Sequence, residues 1–99
     1  MKIELKLPVD ILVDIERAIV ILQKAECNEI YLFGSLIEGD YTEDSDIDIA
    51  VKGLSKDKFF KVYGELLESL ERSIDLVGLD YQNEFSMLLK NTGKIKRVA

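Results

Sequence analysis

Residues 30–51 read Ile-Tyr-Leu-Phe-Gly-Ser-Leu-Ile-Glu-Gly-Asp-Tyr-Thr-Glu-Asp-Ser-Asp-Ile-Asp-Ile-Ala-Val. The first apolar run ends at Gly34 and Ser35, and after ten intervening residues Asp46 and Asp48 open a second apolar run. Two such runs, joined by a turn and a polar loop, predict two β-strands. Because successive side chains of a strand point to opposite faces, we expect the two carboxylates on one face, about 6–7 Å apart at the backbone.

Two neighbouring carboxylates repel each other, so such a pair has either a cation between the groups or plain solvent around them. The turn at Gly34 and Ser35 favours a ligand, because glycine lets a backbone approach a ligand closely and N–H groups at a helix start bind phosphate. An ordinary strand-to-helix turn beside a solvated strand is the alternative. The combination of strand, Gly-Ser turn, acidic spacer and Asp-x-Asp in one short segment favours a metal and phosphate site.

The composition excludes several classes of function. The chain has 99 residues, of which 47 % are hydrophobic and 32 % charged, and this is typical of one globular domain. A net charge of −6 opposes binding to a nucleic-acid backbone, so we expect no direct nucleic-acid partner. The sequence contains neither an apolar stretch of the length that spans a membrane nor a signal-peptide pattern.

Cysteine and histidine usage limits the chemistry further. The single cysteine, Cys27, has no partner for an internal disulfide, which fits a reducing cytoplasm. The chain has no histidine, which removes the usual zinc ligand sets and Ser-His-Asp catalysis. Any reaction must therefore use carboxylates, hydroxyls, lysines or a metal ion.

Hydrophobic periodicity predicts the remaining elements. In the first half of the chain we expect an edge strand at 2–7, a helix from Pro8 to about Cys27, and strands at 29–33 and 46–52 that flank a short helix at 35–38. In the second half we expect a helix at 56–71 after the capping residue Ser55, a strand at 73–79, and a helix at 82–90 after Asp80. Residues 94–99 are expected to form either a basic tail or a fourth strand. This order predicts an α/β (α+β) fold, a small mixed sheet with helices packed on one face.

The apolar residues at helical spacing are expected to face the core. They are Ile11, Leu12, Ile15, Ala18, Ile19, Leu22 and Ala25 in the first long helix, Phe59, Phe60, Tyr63, Leu66, Leu67 and Leu70 in the second, and Phe85, Leu88 and Leu89 in the last. Asp75 interrupts an apolar strand, and a carboxylate there needs either a partner or a task.

The segment from Gly34 to Asp48 resembles the signature of the nucleotidyltransferase superfamily that includes DNA polymerase beta. In its small size and in the sequence of residues 45–51, the chain is similar to the minimal members of this superfamily. These are the MNT proteins, which pair with HEPN proteins in prokaryotic toxin–antitoxin systems. The resemblance covers about residues 29–79. It implies the nucleotidyltransferase fold, with residues 1–99 as a single minimal domain.

The resemblance also implies roles for individual residues. Asp46 and Asp48 would bridge two Mg²⁺ ions, and Asp75 would complete the metal site that deprotonates the acceptor hydroxyl. Gly34 and Ser35 would hold the β- and γ-phosphates of ATP. All five assignments are expectations that the resemblance supplies.

The sequence departs from the family pattern on the phosphate side. Many members carry arginine just after Gly-Ser, where this chain has Leu36 and Glu38. Triphosphate binding would then need positive charge from Lys52, Lys90 or a partner protein, although both lysines fit ordinary surface positions. The carboxylates at 38, 40, 43 and 44 are expected to form a solvated loop.

Three functions remain open from the sequence. The first is an antitoxin enzyme that transfers AMP from ATP to a hydroxyl, by family analogy a tyrosine, of a cognate HEPN toxin. The second is a binding module that neutralises the toxin by complex formation. The third is transfer to a small molecule, which the absence of a second domain disfavours; either a macromolecular acceptor completes the pocket or the protein forms a homo-oligomer.

Overall fold

The computed structural model describes residues 6–80 and 95–99. Within them the elements are α1 (Val9–Lys24), β1 (Glu29–Phe33), α2 (Ser35–Glu38), β2 (Ile47–Lys52), α3 (Lys56–Ser69), β3 (Ile74–Gly78) and β4 (Ile95–Arg97). The bounds of β1 and α2 agree with the sequence prediction. Residues 95–97 form a strand, which decides between the two alternatives for the end of the chain.

The four strands form one mixed sheet in the order β3-β2-β1-β4. β1 lies antiparallel to both β2 and β4, whereas β2 and β3 are parallel. A parallel pair needs a crossover connection, and α3 supplies it. The predicted mixed α/β architecture is therefore confirmed.

The main core lies between the sheet and the two long helices. α1 begins after Pro8 and buries a face at helical spacing that includes Ile11, Ile15 and Leu22. β2 contributes Ile47, Ile49 and Val51 to the same cluster. A smaller cluster, formed by Phe33, Ala50, Val77 and Leu79, lies on the opposite face of the sheet. Within the described residues, α1 and α3 thus share one face of the sheet and the aspartates of β2 and β3 point to the other.

The prediction of a broad buried stripe on α3 is wrong at two positions. Phe60 is 80 % exposed and Leu67 is 56 % exposed, while Val62, Leu66 and Leu70 are buried. The face of α3 that contacts the sheet is narrower than the set of its apolar residues. Apolar residues at the margins of this face, such as Phe60 and Leu67, therefore reach solvent. It also ends at Ser69, two residues before the predicted end, because Leu70 is extended with φ −94° and ψ 147°.

Several predictions fall partly or wholly outside the described residues. The expected edge strand at 2–7 reaches them only at Lys6 and Leu7, which have no regular structure. The expected helix at 82–90 lies outside them. Asp80, predicted to cap that helix, accepts a hydrogen bond of 2.7 Å from the backbone N–H of Gly53. No helix in the described part of the chain has the length and apolar character needed to traverse a membrane.

Candidate active site

The parallel pairing of β2 and β3 brings two of the predicted site residues together. Asp48 lies directly opposite Asp75 in the register, and neighbouring strands are about 4.8 Å apart. Asp46 immediately precedes β2, which begins at Ile47 and not at the predicted residue 46, and its side chain is exposed. Asp48 and Asp75 therefore lie at one end of the sheet, on the face opposite the helices, and Asp46 is close enough for its charge to act on Asp48.

Gly34 lies against the carboxylate of Asp48. β1 ends at Phe33, which pairs with Asp48, and Gly34 then turns the chain into α2 with φ 74° and ψ −153°. A Cβ atom at Gly34 would lie 2.2 Å from Asp48 Oδ2, a distance that no side chain permits. Both the backbone conformation and the close approach thus require glycine at this position.

Asp48 is half-buried in a site of like charge. Burial, followed by the negative charges of Asp75 and Asp46, raises the pKa of Asp48 from 3.8 to about 6. Within the described residues no hydrogen-bond donor contacts its carboxylate, and every cause of the shift acts in the same direction. A shift produced by burial together with like charges is characteristic of functional sites.

Asp75 has a hydrogen-bond partner on α3. The hydroxyl of Tyr63 lies 3.3 Å from Asp75 Oδ1 and 3.2 Å from the carbonyl oxygen of Ile74. Ser73 directs its own carbonyl toward β2, where it accepts from the N–H of Ile47 at 2.9 Å. Because backbone carbonyls alternate in direction along a strand, the carbonyl of Ile74 points away from β2. Tyr63 therefore contacts this carbonyl and Asp75 from the side of β3 that does not pair with β2.

The backbone before Asp46 is held by an arginine. Arg72 Nη1 donates to the carbonyl oxygen of Ser45 at 3.0 Å, and Arg72 Nη2 lies 3.7 Å from Asp10 Oδ2. The backbone N–H of Arg72 in turn donates to Asp14 Oδ2 at 3.0 Å. This network connects α1 to the starts of both β2 and β3.

The acidic loop agrees with the solvated alternative. Its carboxylate side chains are exposed: Glu38, Asp40, Glu43 and Asp44. Thr42 and Ser45 shape the loop, since the backbone N–H of Thr42 donates to Ser45 Oγ at 2.7 Å. Lys52 is an exposed residue at the opposite end of β2 from Asp48, about 13 Å along the strand, so it fits the predicted surface role.

Three residues of this network were not predicted from the sequence: Asp14, Tyr63 and Arg72. Tyr63 belongs to an apolar stripe that is expected to face the core. Its ring does pack against the core, but its hydroxyl contacts Asp75. Asp14 carried a usable signal, because it lies three residues after Ile11 and four before Ala18, on the buried face of α1. No local pattern marks Arg72, whose contacts are made with distant segments.

The residues of the cluster fit Mg²⁺ by their chemistry. Mg²⁺ prefers oxygen ligands from a few carboxylates, and Gly34 leaves open the space that a Cβ would fill beside Asp48. Within residues 6–80 and 95–99, however, no three acidic side chains converge closely enough to hold a metal ion. Mutual repulsion between neighbouring carboxylates is a physical reason for them not to point at one centre when no cation lies between them.

A second surface feature lies on the helical layer, away from the aspartates. A groove of about 480 Å³ is lined by Val13, Glu16, Arg17, Val20, Ile21 and Ser69. The lining residues belong to α1 and α3, and both helices carry exposed apolar side chains. On α1, Val9 is 76 % exposed and Val20 is 50 % exposed. Apolar side chains grouped at a surface are typical of protein–protein contacts.

Comparison with known proteins gives a family and a set of structural neighbours. Residues 16–96 match the family described as polymerase beta, nucleotidyltransferase. A search of the curated proteins found no match.

Two of the toxin–antitoxin crystal structures that contain chains of similar fold are described first. A chain of a toxin–antitoxin complex with AMP-PNP is 28 % identical, with a TM-score of 0.66, and the match covers 83 % of this chain and 70 % of that one. A chain of a substituted variant of the MntA–HpeT complex is also 28 % identical, with a TM-score of 0.65 and coverage of 85 % and 70 %.

A third neighbour shows similarity of fold alone. It is a chain of the complex of a tri-AMPylated Shewanella oneidensis HEPN toxin with an MNT antitoxin, at 24 % identity and a TM-score of 0.62. That match covers 87 % of this chain and 69 % of the other.

Proposed function

Because the chain belongs to the polymerase beta nucleotidyltransferase family, we propose that it is a Mg²⁺-dependent enzyme that transfers AMP from ATP to a protein hydroxyl. The acceptor in this proposal is a tyrosine of a cognate HEPN toxin, and the transfer makes the protein an antitoxin. Residues 1–99 act as one minimal nucleotidyltransferase domain, and neither nucleic acid nor a membrane takes part.

One observation carries the proposal: Asp48 lies opposite Asp75 in a parallel register, against a glycine that admits no side chain. A half-buried carboxylate between two other carboxylates is unfavourable unless a cation compensates it. Oxygen ligands on adjacent strands, without histidine or cysteine, suit Mg²⁺ better than zinc.

Each residue has a defined task in the reaction. Asp46, Asp48 and Asp75 would hold the metal ions, which neutralise the charge that develops on the attacking and leaving oxygens. Asp75, on β3, would complete the metal site that removes the proton of the acceptor hydroxyl as the new O–P bond forms and pyrophosphate leaves. Gly34 and Ser35, at the start of α2, contact the β- and γ-phosphates.

The neighbours support the choice of nucleotide and partner. One of them was crystallised with AMP-PNP, an analogue of ATP, and another contains a HEPN toxin that carries AMP groups. Among the described residues, Leu36 and Glu38 follow the Gly-Ser turn and Lys52 lies at the far end of β2, while Lys90 lies outside those residues. In this proposal the partner, or a second copy of the chain, completes the pocket for triphosphate and acceptor.

The decisive experiment incubates the full chain with labelled ATP and Mg²⁺, with and without the protein encoded beside it. Asp46→Asn/Asp48→Asn removes the two charges and keeps the shapes of the side chains. Asp40→Asn/Asp44→Asn is the matched control, because it removes the same charge from the exposed loop. We expect label on the partner with wild type and control, and a loss on the order of 10³-fold with the site variant.

A second function is favoured by the exposed apolar residues of α1 and α3. In that alternative the protein neutralises its partner by binding alone. Unchanged binding and neutralisation with Asp46→Asn/Asp48→Asn, together with no labelled partner from any nucleotide, would establish the binding module and exclude the transferase.

A further inference from the structure

The third carboxylate of the cluster is anchored by a residue from another element. Asp75 lies within β3 with an exposed side chain, so its own backbone does not fix the direction of its carboxylate. The hydroxyl of Tyr63 contacts both Asp75 Oδ1 and the carbonyl oxygen of Ile74. A tyrosine hydroxyl has a single proton to donate, and an ionised carboxylate is a stronger acceptor than a carbonyl.

Tyr63 itself is held firmly enough to act as an anchor. Its ring packs edge-on against Phe59, with centroids 6.2 Å apart and the ring planes at 90°. Both residues pack against the main core, on a helix of 14 residues. The phenolic O–H of a tyrosine is a hydrogen-bond donor near neutral pH. A protonated hydroxyl on a rigid helix is a reliable donor.

We propose that Tyr63 is a positioning residue for the metal site, whose hydroxyl holds Asp75 Oδ1 and leaves the other carboxylate oxygen available to the cation. The inference rests on the proposed function, because it takes Asp75 to be a Mg²⁺ ligand. It extends that function by assigning a role to a residue outside the aspartate cluster. Hydrogen-bond partners of ligating carboxylates typically contribute about 10–100-fold to metal affinity or activity.

The test measures Mg²⁺ binding by calorimetry, on the full chain with AMP-PNP present, for Tyr63→Phe and for Tyr31→Phe. Both substitutions remove one hydroxyl from a tyrosine that donates to a carboxylate, since Tyr31 donates to Glu29 Oε1. Tyr31 lies on β1 opposite Ala50, outside the aspartate cluster. We expect Tyr63→Phe to weaken Mg²⁺ binding about tenfold and Tyr31→Phe to leave it unchanged.

A double-substitution cycle separates positioning from a general structural effect. In an Asp75→Ala background the Tyr63 hydroxyl has no carboxylate to orient, so Tyr63→Phe should cause no further loss of Mg²⁺ affinity. The thermal unfolding midpoint in a chelator should stay close to that of the parent protein. For AMP transfer, kcat should fall with little change in KM for ATP.

Three results would overturn the inference. One is an equal loss of Mg²⁺ affinity in both backgrounds, and another is the same loss with Tyr31→Phe. The third is an AMP group on Tyr63 itself, detected by intact-mass and peptide analysis, since that would make it an acceptor. The proposed function fails separately: a protein that binds Mg²⁺ with the expected cycle but labels no partner retains the positioning role and loses the transferase.

Discussion

Asp14 and Asp48 are carboxylates that differ in burial and in the groups that surround them. Asp14, on α1, is 2 % exposed and accepts hydrogen bonds from the backbone N–H groups of Glu71 and Arg72 at 3.4 and 3.0 Å. Asp48, on β2, is half-buried between Asp46 and Asp75, with no donor from the described residues. The more deeply buried carboxylate is thus the better satisfied one.

Under the proposed function, this difference separates a structural carboxylate, Asp14, from a functional one, Asp48. Hydrogen bonds to its ionised form compensate Asp14 for the loss of water, and in return it fixes the turn that leads from α3 into β3. Among the described residues, Asp48 has lost part of its hydration and has gained only like charges. Under the proposed function, a bound cation would compensate these charges.

The largest expected effect comes from breaking the satisfied site. Asp14→Asn keeps the shape but presents an amide N–H₂ to one of two backbone donors, so we expect a loss of about 2–4 kcal/mol in the free energy of unfolding. Asp10→Asn is the control, because its carboxylate is 70 % exposed and should contribute well under 1 kcal/mol. Urea denaturation of both variants measures the difference; equal losses would contradict the assignment.

Gly34→Ala tests the close contact beside Asp48. The substitution combines an unfavourable φ with a clash against Oδ2, and we expect it to cost about 2–3 kcal/mol in stability. In an Asp48→Ala background the clash is absent and only the backbone cost, about 1–2 kcal/mol, should remain. Gly39→Ala is a control for a positive φ without a close contact, since Gly39 has φ 90° and ψ 2° and nothing within 4 Å. Equal costs in both backgrounds would show that only the backbone conformation matters.

The third prediction concerns pH. The pKa of Asp48 is raised in the folded protein to about 6 from 3.8, so the folded state favours the protonated carboxyl. Its contribution to stability is complete below about pH 4 and is lost as the pH rises to about 6. With a chelator present, the free energy of unfolding of Asp48→Asn should therefore equal that of wild type at pH 4. Above pH 6 it should be larger by about 1 kcal/mol, a value that allows for solvent screening. A difference that does not vary with pH, measured by thermal unfolding, would contradict this interpretation.

The smallest expected effect concerns the ion pair of Asp14. Arg17 Nη1 lies 3.9 Å from Asp14 Oδ1, but the arginine side chain is 53 % exposed. If backbone donors satisfy Asp14, then Arg17→Ala should change the free energy of unfolding by less than about 0.5 kcal/mol. A loss comparable to that of Asp14→Asn would show that the ion pair, and not the turn, compensates the buried charge.

Most of the fold could be predicted because strand alternation and turn residues are local signals. They gave β1 and α2 at their observed bounds and placed Asp46 and Asp48 on one side of β2. The resemblance implied only that Asp75 joins the same site as Asp46 and Asp48. The pairing of Asp48 with Asp75 was not predicted, since the register between strands distant in sequence is not a local property.

The anchors around the aspartates were missed for physical reasons. The contact of Tyr63 with Asp75 depends on how α3 is rotated against the sheet, which a period of 3.6 residues leaves undetermined. The same rotation exposes Phe60 and Leu67 against expectation. Arg72 acts through Ser45 and Asp10, both remote in the chain, so its role follows only from tertiary structure.

Under the proposed function, the parallel pairing of β2 and β3 makes activity depend on completion of the fold. β1 and β2 can pair antiparallel across the turn and the acidic loop, whereas β3 can join β2 only after α3 has crossed the sheet. A chain that stops at the first pairing would have Asp46 and Asp48 without Asp75. Under the proposed role of Asp75, divalent cations then bind best to fully folded molecules and stabilise them by mass action, so a nascent chain gains its chemistry only when its topology is complete.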